Sequence, residues 1–214
     1  DLWFDLTRFE QLDPAYLARN PKGMVPTLVA DGRPLTESSI INEFLDERFP
    51  ERPLLPRDPL LRAEIRVWTK YVDAGPTVTI ASPTYRAWVA PGLARHPDPA
   101  ALLGLVGRAP DPVTRARWER TVRGEITEAE VDAAWRSIAD MLARMEARLS
   151  SGTWLFGDAY TLADAETTPI VVRIGHLGRD DLMADFPRVR GWFERIQALP
   201  NFSPTYAFLR APAA

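Results

Sequence analysis

A chain of 214 residues that is 46% apolar and carries seven Trp has enough material for one large or two modest hydrophobic cores. Its formal net charge of −3 gives no general electrostatic reason to bind nucleic acid, and the dominance of Arg among its 26 basic residues reads as base-composition bias. Cys is absent, which excludes disulfides, thiolate metal sites and a cysteine nucleophile, and two isolated His, His96 and His176, argue against a metal centre.

In chain order, residues 2–6 (LWFDL) read as a strand. Asp13 then opens a short helix with Pro14 in its first turn. The stretch from Pro26 to Ser38 predicts two strands joined at Asp31-Gly32, a dipeptide favoured in tight hairpin turns. From Ser38 the spacing of Ile40, Ile41, Phe44 and Leu45 becomes helical, and that helix ends near Pro50. Four prolines between Phe49 and Pro59 mark a domain boundary, so the chain divides into an N-terminal α/β domain at 1–50, a linker at 51–59 and an all-α domain at 60–214.

Within the helical part, Leu61, Ile65, Trp68 and Val72 share one face. Val131, Trp135, Ile138, Leu142, Met145 and Leu149 do the same on a longer helix opened by the Thr127 to Glu130 capping box. Residues 76–112 carry seven prolines and predict broken helices and loops. Thr161 and Asp164 have capping-box spacing ahead of an apolar run, which makes both of them folding residues at the start of a buried helix. Val189, Trp192, Phe193, Ile196 and Leu199 form the inward face of a last amphipathic helix.

No run approaches the roughly 18 to 20 apolar residues needed to span a bilayer, and the N-terminus has no charged flank followed by an apolar signal core. The expectation is a cytoplasmic protein without membrane or nucleic-acid partners.

Chemistry concentrates in residues 20–45. Pro26 stands at the mouth of a strand, where it donates no ladder hydrogen bond. A Val-Pro bond reaches the cis form far more readily than other peptide bonds, and a cis bond there would turn the N–H and C=O of Val25 toward the backbone of an extended ligand. The hydroxyl of Ser38 and the first N–H groups of its helix suit a carboxylate, and Glu37 suits an ammonium. A ligand with an α-amino-acid head and a peptide-like middle meets all three, and the γ-glutamyl-cysteinyl part of glutathione is such a molecule. Singly, each residue has a plainer reading: Ser38 as an N-cap, Glu37 as a first-turn acid, Pro26 as an edge-strand proline.

The run from Asn20 to Leu28 (NPKGMVPTL), the Asp31-Gly32 turn and the pattern Leu35, Glu37, Ser38, Ile41, Phe44, Leu45, Phe49 and Pro50 occur together. With the Pro-rich stretch and the helical remainder containing Gly157 to Ala165 (GDAYTLADA), they resemble the glutathione S-transferase superfamily along nearly the whole chain. The resemblance implies a thioredoxin-like domain that binds glutathione as cosubstrate, a helical domain that helps bind a hydrophobic electrophile, and a homodimer. It implies that Val25 pairs by its backbone with the cysteinyl unit beside Pro26, that Glu37 and Ser38 hold the γ-glutamyl group, and that Gln11 contacts the glycyl end. Phe9 to Gln11, the Asn20 to Pro26 motif and the run from Arg62 to Asp73 are similar to bacterial β-etherase-type members, which cleave aryl ether bonds with glutathione.

Members of the family carry a strand and a helix ahead of the segment resembling residues 2–6, with the Ser, Tyr or Cys that stabilises the glutathione thiolate just after that strand. The expectation is therefore an N-terminal domain that is incomplete as given, with an additional segment on the order of 20 to 25 residues before Asp1 holding the catalytic group. Within the chain the catalytic residue is unknown, since Ser38 is already assigned and Ser39 and Tyr16 have no motif support. Two other readings remain open at this level: a non-catalytic transferase-fold binding module, and a structural interaction protein with a vestigial site.

Overall fold

The computed structural model describes residues 2–207; Asp1 and residues 208–214, the outermost parts of the two expected domains, lie outside the described residues. Contacts gather the chain into two compact units, Asp1–Arg52 with Val78–Trp135 and Pro53–Thr77 with Arg136–Ala214.

In the first unit, residues 2–5 are not the strand expected from the sequence. Asp5 accepts the Thr7 N–H at 2.9 Å and the Thr7 hydroxyl at 2.6 Å, while the Asp5 N–H donates to Glu10 at 2.8 Å. These short-range bonds wind Leu6–Arg8 into a 3-10 turn, the alternative that small polar side chains offer to a strand ladder. Phe9 reverses the chain with φ 56°, and Phe9 and Leu12 are then buried. Helix α1 (Pro14–Leu17) starts at Asp13, whose side chain makes no capping bond.

Strands β1 (Thr27–Ala30) and β2 (Arg33–Thr36) pair antiparallel with Thr27 opposite Thr36 and Ala30 opposite Arg33. Asp31 and Gly32 join them with φ of 49° and 76°, the two positive values that a tight primed turn requires. Helix α2 (Ser38–Arg48) buries Ile41, leaves Ile40 exposed and ends before Pro50.

The proline-rich middle is helix broken into short pieces: α3 (Pro59–Ala74), α4 (Pro76–Thr79), α5 (Ala81–Thr84), a π turn at Tyr85–Val89, α6 (Ala90–Ala94), α7 (Pro99–Val106) and α8 (Pro112–Val122). Three of these begin with the same device. Asp58, Asp98 and Asp111 each accept an N–H from three residues ahead, while the following proline fills the first helical position. In the first unit, Phe9 and Leu12 pack into one cluster with Leu93, Leu102, Val106, Ala109, Trp118 and Val122. Trp118 meets Phe9 edge-on at 5.1 Å and stacks on Tyr85 at 4.8 Å.

Helix α9 (Glu128–Arg148) opens with the expected capping box, Glu130 accepting the Thr127 N–H at 2.9 Å and donating its own N–H to the Thr127 hydroxyl at 3.2 Å. In the second unit α9 supplies Ile138, Leu142 and Met145, and α3 supplies Ile65, Trp68 and Val72, all buried as the apolar spacing predicts. Helices α10 (Leu162–His176), α11 (Pro187–Gln197) and α12 (Phe202–Thr205) follow. Val189, Trp192 and Ile196 of α11 are buried, whereas Phe193 and Leu199 are half-buried.

Asp164 is the polar centre of this unit. Its carboxylate is fully buried and accepts from the Leu155 N–H at 3.0 Å, the Thr161 N–H at 3.0 Å, the Thr161 hydroxyl at 2.9 Å and Trp192 Nε1 at 2.8 Å. Burial pushes the carboxyl upward from its ordinary value, and those donors oppose it. The loop before α10 turns so tightly that a Cβ on Gly152 would sit 2.6 Å from the Gly157 carbonyl oxygen. No helix among the described residues is long and apolar enough to cross a membrane.

Candidate functional site

The hairpin register decides which sequence-predicted residues meet. Since Thr27 faces Thr36, the residues just outside the ladder, Val25-Pro26 on one side and Glu37-Ser38 on the other, share one end of the hairpin. The Val25-Pro26 bond is cis. The loop that carries it is held from below by two buried side chains. Tyr16 donates its hydroxyl proton to the Met24 carbonyl at 2.6 Å, and Asn20 donates to the same oxygen at 2.6 Å. Both also bond the Thr27 hydroxyl, at 2.8 and 3.1 Å. With Met24 and Thr27 so fixed, Val25 between them is 40% exposed and its N–H and C=O bond to no described residue. Tyr16 is thus a structural hydroxyl, spent on the loop.

Glu37 occupies the N-cap position of α2, but its side chain makes no capping bond. Its backbone has φ 69° and ψ 112°, a conformation that non-glycine residues rarely adopt and that costs on the order of 1–3 kcal/mol. Ser38 is the first helical residue instead of the N-cap, so the plainer reading of its role does not hold. The early N–H groups of this 11-residue helix lack intrahelical acceptors and present the positive end of its dipole. Ser38 is exposed beside them.

The Glu37 carboxylate is paired with the Lys22 ammonium. Glu37 beside it holds the Lys22 amine above its usual value, first through the hydrogen bond and then through charge. Lys22 lies within the Asn20 to Leu28 motif. Its spacing of 15 residues from Glu37 carries no local signal, and only the hairpin brings the two together. Gln11, in contrast, lies in the interior. It is 2% exposed and its Oε1 has no hydrogen-bond partner among the described residues. Its backbone carbonyl lies beneath Gly23, 3.5 Å from where a Cβ there would stand. The structure therefore groups Val25, Pro26, Glu37 and Ser38, adds Lys22, and buries Gln11 beside Gly23. Among the described residues no group of three or more His, Asp or Glu is arranged to hold a metal ion.

This end of the hairpin offers a free backbone N–H and C=O, an ion pair and a helix N-terminus side by side. Such a surface suits a zwitterionic, peptide-like ligand. The model of the glutathione S-transferase N-terminal domain matches residues 3–53, and that of the C-terminal domain matches residues 128–195. Protein LigF of Sphingobium sp. strain SYK-6 is 30% identical over 205 residues, covering 93% of this chain and 79% of LigF. The crystal structure of that protein, a β-etherase, superposes with a TM-score of 0.87 at 29% identity, covering 97% of this chain and 87% of the other. Maleylacetoacetate isomerase of Pseudomonas aeruginosa is 30% identical over 90% of this chain and 76% of its own length. A crystal structure of a maleylacetoacetate isomerase from Methylobacterium extorquens AM1, with malonate and GSH bound, aligns at 29% identity and a TM-score of 0.65, covering 100% of this chain and 86% of the other. The architecture, a small two-stranded N-terminal part followed by helices, is the glutathione S-transferase fold. With both domain models matched and relatives at this identity spanning most of its length, the chain belongs to the glutathione S-transferase superfamily.

Proposed function

We propose that this protein is a glutathione-dependent transferase that directs the glutathione thiolate at a hydrophobic electrophile, with an aryl ether as the favoured substrate class. The observation that carries the reading is the shared hairpin end. The Val25 N–H and C=O pair with the cysteinyl backbone beside Pro26, the start of α2 at Ser38 receives the γ-glutamyl carboxylate, and Glu37 receives its ammonium. Charge and hydrogen-bond type match at each point. The aryl ether preference is supported by the likeness to LigF, the β-etherase. In that reaction the thiolate attacks the carbon bearing the aryloxy group, a C–S bond forms, the C–O bond breaks and a phenolate leaves. The thiolate is the nucleophile, so its population at neutral pH sets the rate. We further read the protein as a cytoplasmic homodimer.

The test is calorimetric titration of the full chain with glutathione, with Glu37→Ala and Ser38→Ala beside the parent, followed by incubation with glutathione and a ketone carrying a 4-nitrophenoxy group on the carbon next to its carbonyl. Binding that both substitutions weaken, with release of 4-nitrophenolate, is the expected result. Binding without release would make the chain a glutathione-binding module instead of an etherase. Absence of binding by the parent at millimolar glutathione would sink the site itself.

A further inference from the structure

The sequence holds four Met and no Cys, so its oxidisable sulfurs are all thioethers. Met141 and Met145 are 0% exposed and Met183 is 5% exposed, all three in the second unit. Met24, in the first unit, is 44% exposed and stands one residue before Val25 at the shared end of the hairpin.

Met side chains ordinarily fill irregular gaps in a core, and beneath this loop the space is taken. At Gly23 the chain runs so close to the interior that a Cβ would stand 2.7 Å from the Leu12 side chain and 3.2 Å from that of Leu17. Tyr16 and Asn20, both buried, each donate to the Met24 carbonyl at 2.6 Å and anchor its backbone above them. The thioether is left on the outside of an anchored loop.

An exposed thioether is a nucleophile toward hydroperoxides. The sulfur lone pair attacks the outer peroxide oxygen, the S–O bond forms and the O–O bond breaks. The proton on that oxygen passes to the departing oxygen, which leaves as an alcohol, or as water when the oxidant is hydrogen peroxide. Sulfur is oxidised by two electrons and the peroxide is reduced by the same two. An apolar side chain thereby becomes polar and gains a strong hydrogen-bond acceptor. The Val25 N–H, which bonds to no described residue, is the donor next to it.

We propose that Met24 is the site at which hydroperoxides modify this protein, and that its sulfoxide weakens ligand binding at the hairpin end by competing for the Val25 N–H. The site of modification follows from exposure and composition alone, whereas the effect on affinity rests on the glutathione reading of that surface. Because Met24 lies outside the buried clusters, the modification acts on binding and leaves folding intact.

The experiment exposes the folded full chain to hydrogen peroxide, removes the excess with catalase, and locates added oxygen by peptide mass mapping, with Met24→Leu treated in parallel. Expected is one added oxygen on Met24 in the parent, none in Met24→Leu, and oxygen on all four Met only when the parent is treated in urea. Calorimetric titration with glutathione should then show the dissociation constant of the parent raised about fivefold by the treatment, the worth of one hydrogen bond. Met24→Leu should give the same affinity before and after peroxide, and the urea midpoint of the parent should not move. Oxygen appearing on Met141, Met145 or Met183 ahead of Met24 would overturn the site. Met24 fully oxidised with the affinity of the parent unchanged would overturn its effect on binding. A parent that binds no glutathione before treatment would sink the reading of the hairpin end and the effect on affinity with it, while the peptide masses still decide the site of oxygen transfer.

Discussion

The Lys22 ammonium is paired with the Glu37 carboxylate across the end of the hairpin, with the two side chains 64% and 47% exposed. A pair so open to solvent contributes little to folding. Lys22→Met and Glu37→Gln should both leave the urea midpoint of the protein unchanged. If Glu37 receives the glutathione ammonium as proposed, Glu37→Gln should raise the glutathione dissociation constant about tenfold. The sign with pH follows from the raised Lys22 value: the pair is intact below the ordinary lysine range and is lost as pH rises through the raised one. Neutral buffers therefore test it fully formed, and an unaltered affinity in Glu37→Gln would remove Glu37 from the site.

The loop above Tyr16 offers a separate handle. Tyr16→Phe removes one of the two short bonds to the Met24 carbonyl and the bond to Thr27, both part-buried. A loss of about 1–2 kcal/mol in stability is expected. Glutathione affinity should fall as well, because Val25 is carried by that loop. Asn20→Ala should act in the same direction. Loss of stability with affinity unchanged in both variants would mean that Val25 is not the pairing group.

Asp164 should behave as the residue the second unit can least spare. Asp164→Ala leaves the Leu155 and Thr161 N–H groups and the Trp192 indole N–H buried without an acceptor. The expected loss is about 3–5 kcal/mol, read by urea denaturation followed through Trp fluorescence. Thr161→Val removes only a hydroxyl and should cost about 1 kcal/mol. A comparable loss in the two variants would contradict the hub.

Sequence signals with a short range were readable. Asp31-Gly32 announces its turn because its own backbone conformation makes the hairpin, and the Thr127 and Thr161 boxes announce helix starts because their partners lie three residues away. Stripes such as Ile65, Trp68 and Val72 repeat within one helix. What escaped depends on longer range or on competition. Residues 2–6 have the composition of a strand, but Asp5 closes on Thr7 and turns the chain instead. Lys22 meets Glu37 only after the hairpin forms.

Glu130 gives a prediction on the acid side. Arg120 beside it, together with the N–H and hydroxyl of Thr127, holds its carboxyl down at about 2. A depressed carboxyl contributes stability that is present above its unfolded value and is lost as pH falls through the folded one. The window here runs from about 4.5 down to about 2. Asp164 has the opposite sign, since burial raises it and its ionisation weakens the fold as pH rises from near 4. Comparing Glu130→Gln with the parent cancels Asp164, which both proteins share. The stability difference should therefore be constant above pH 5 and shrink steadily as pH falls from 4.5 toward 2, measured by urea denaturation at each pH. With both side chains of the ion pair more than a third exposed, salt should reduce that difference. Parallel stability curves for the two proteins across this window would show that the Arg120 to Glu130 fork does not hold in solution.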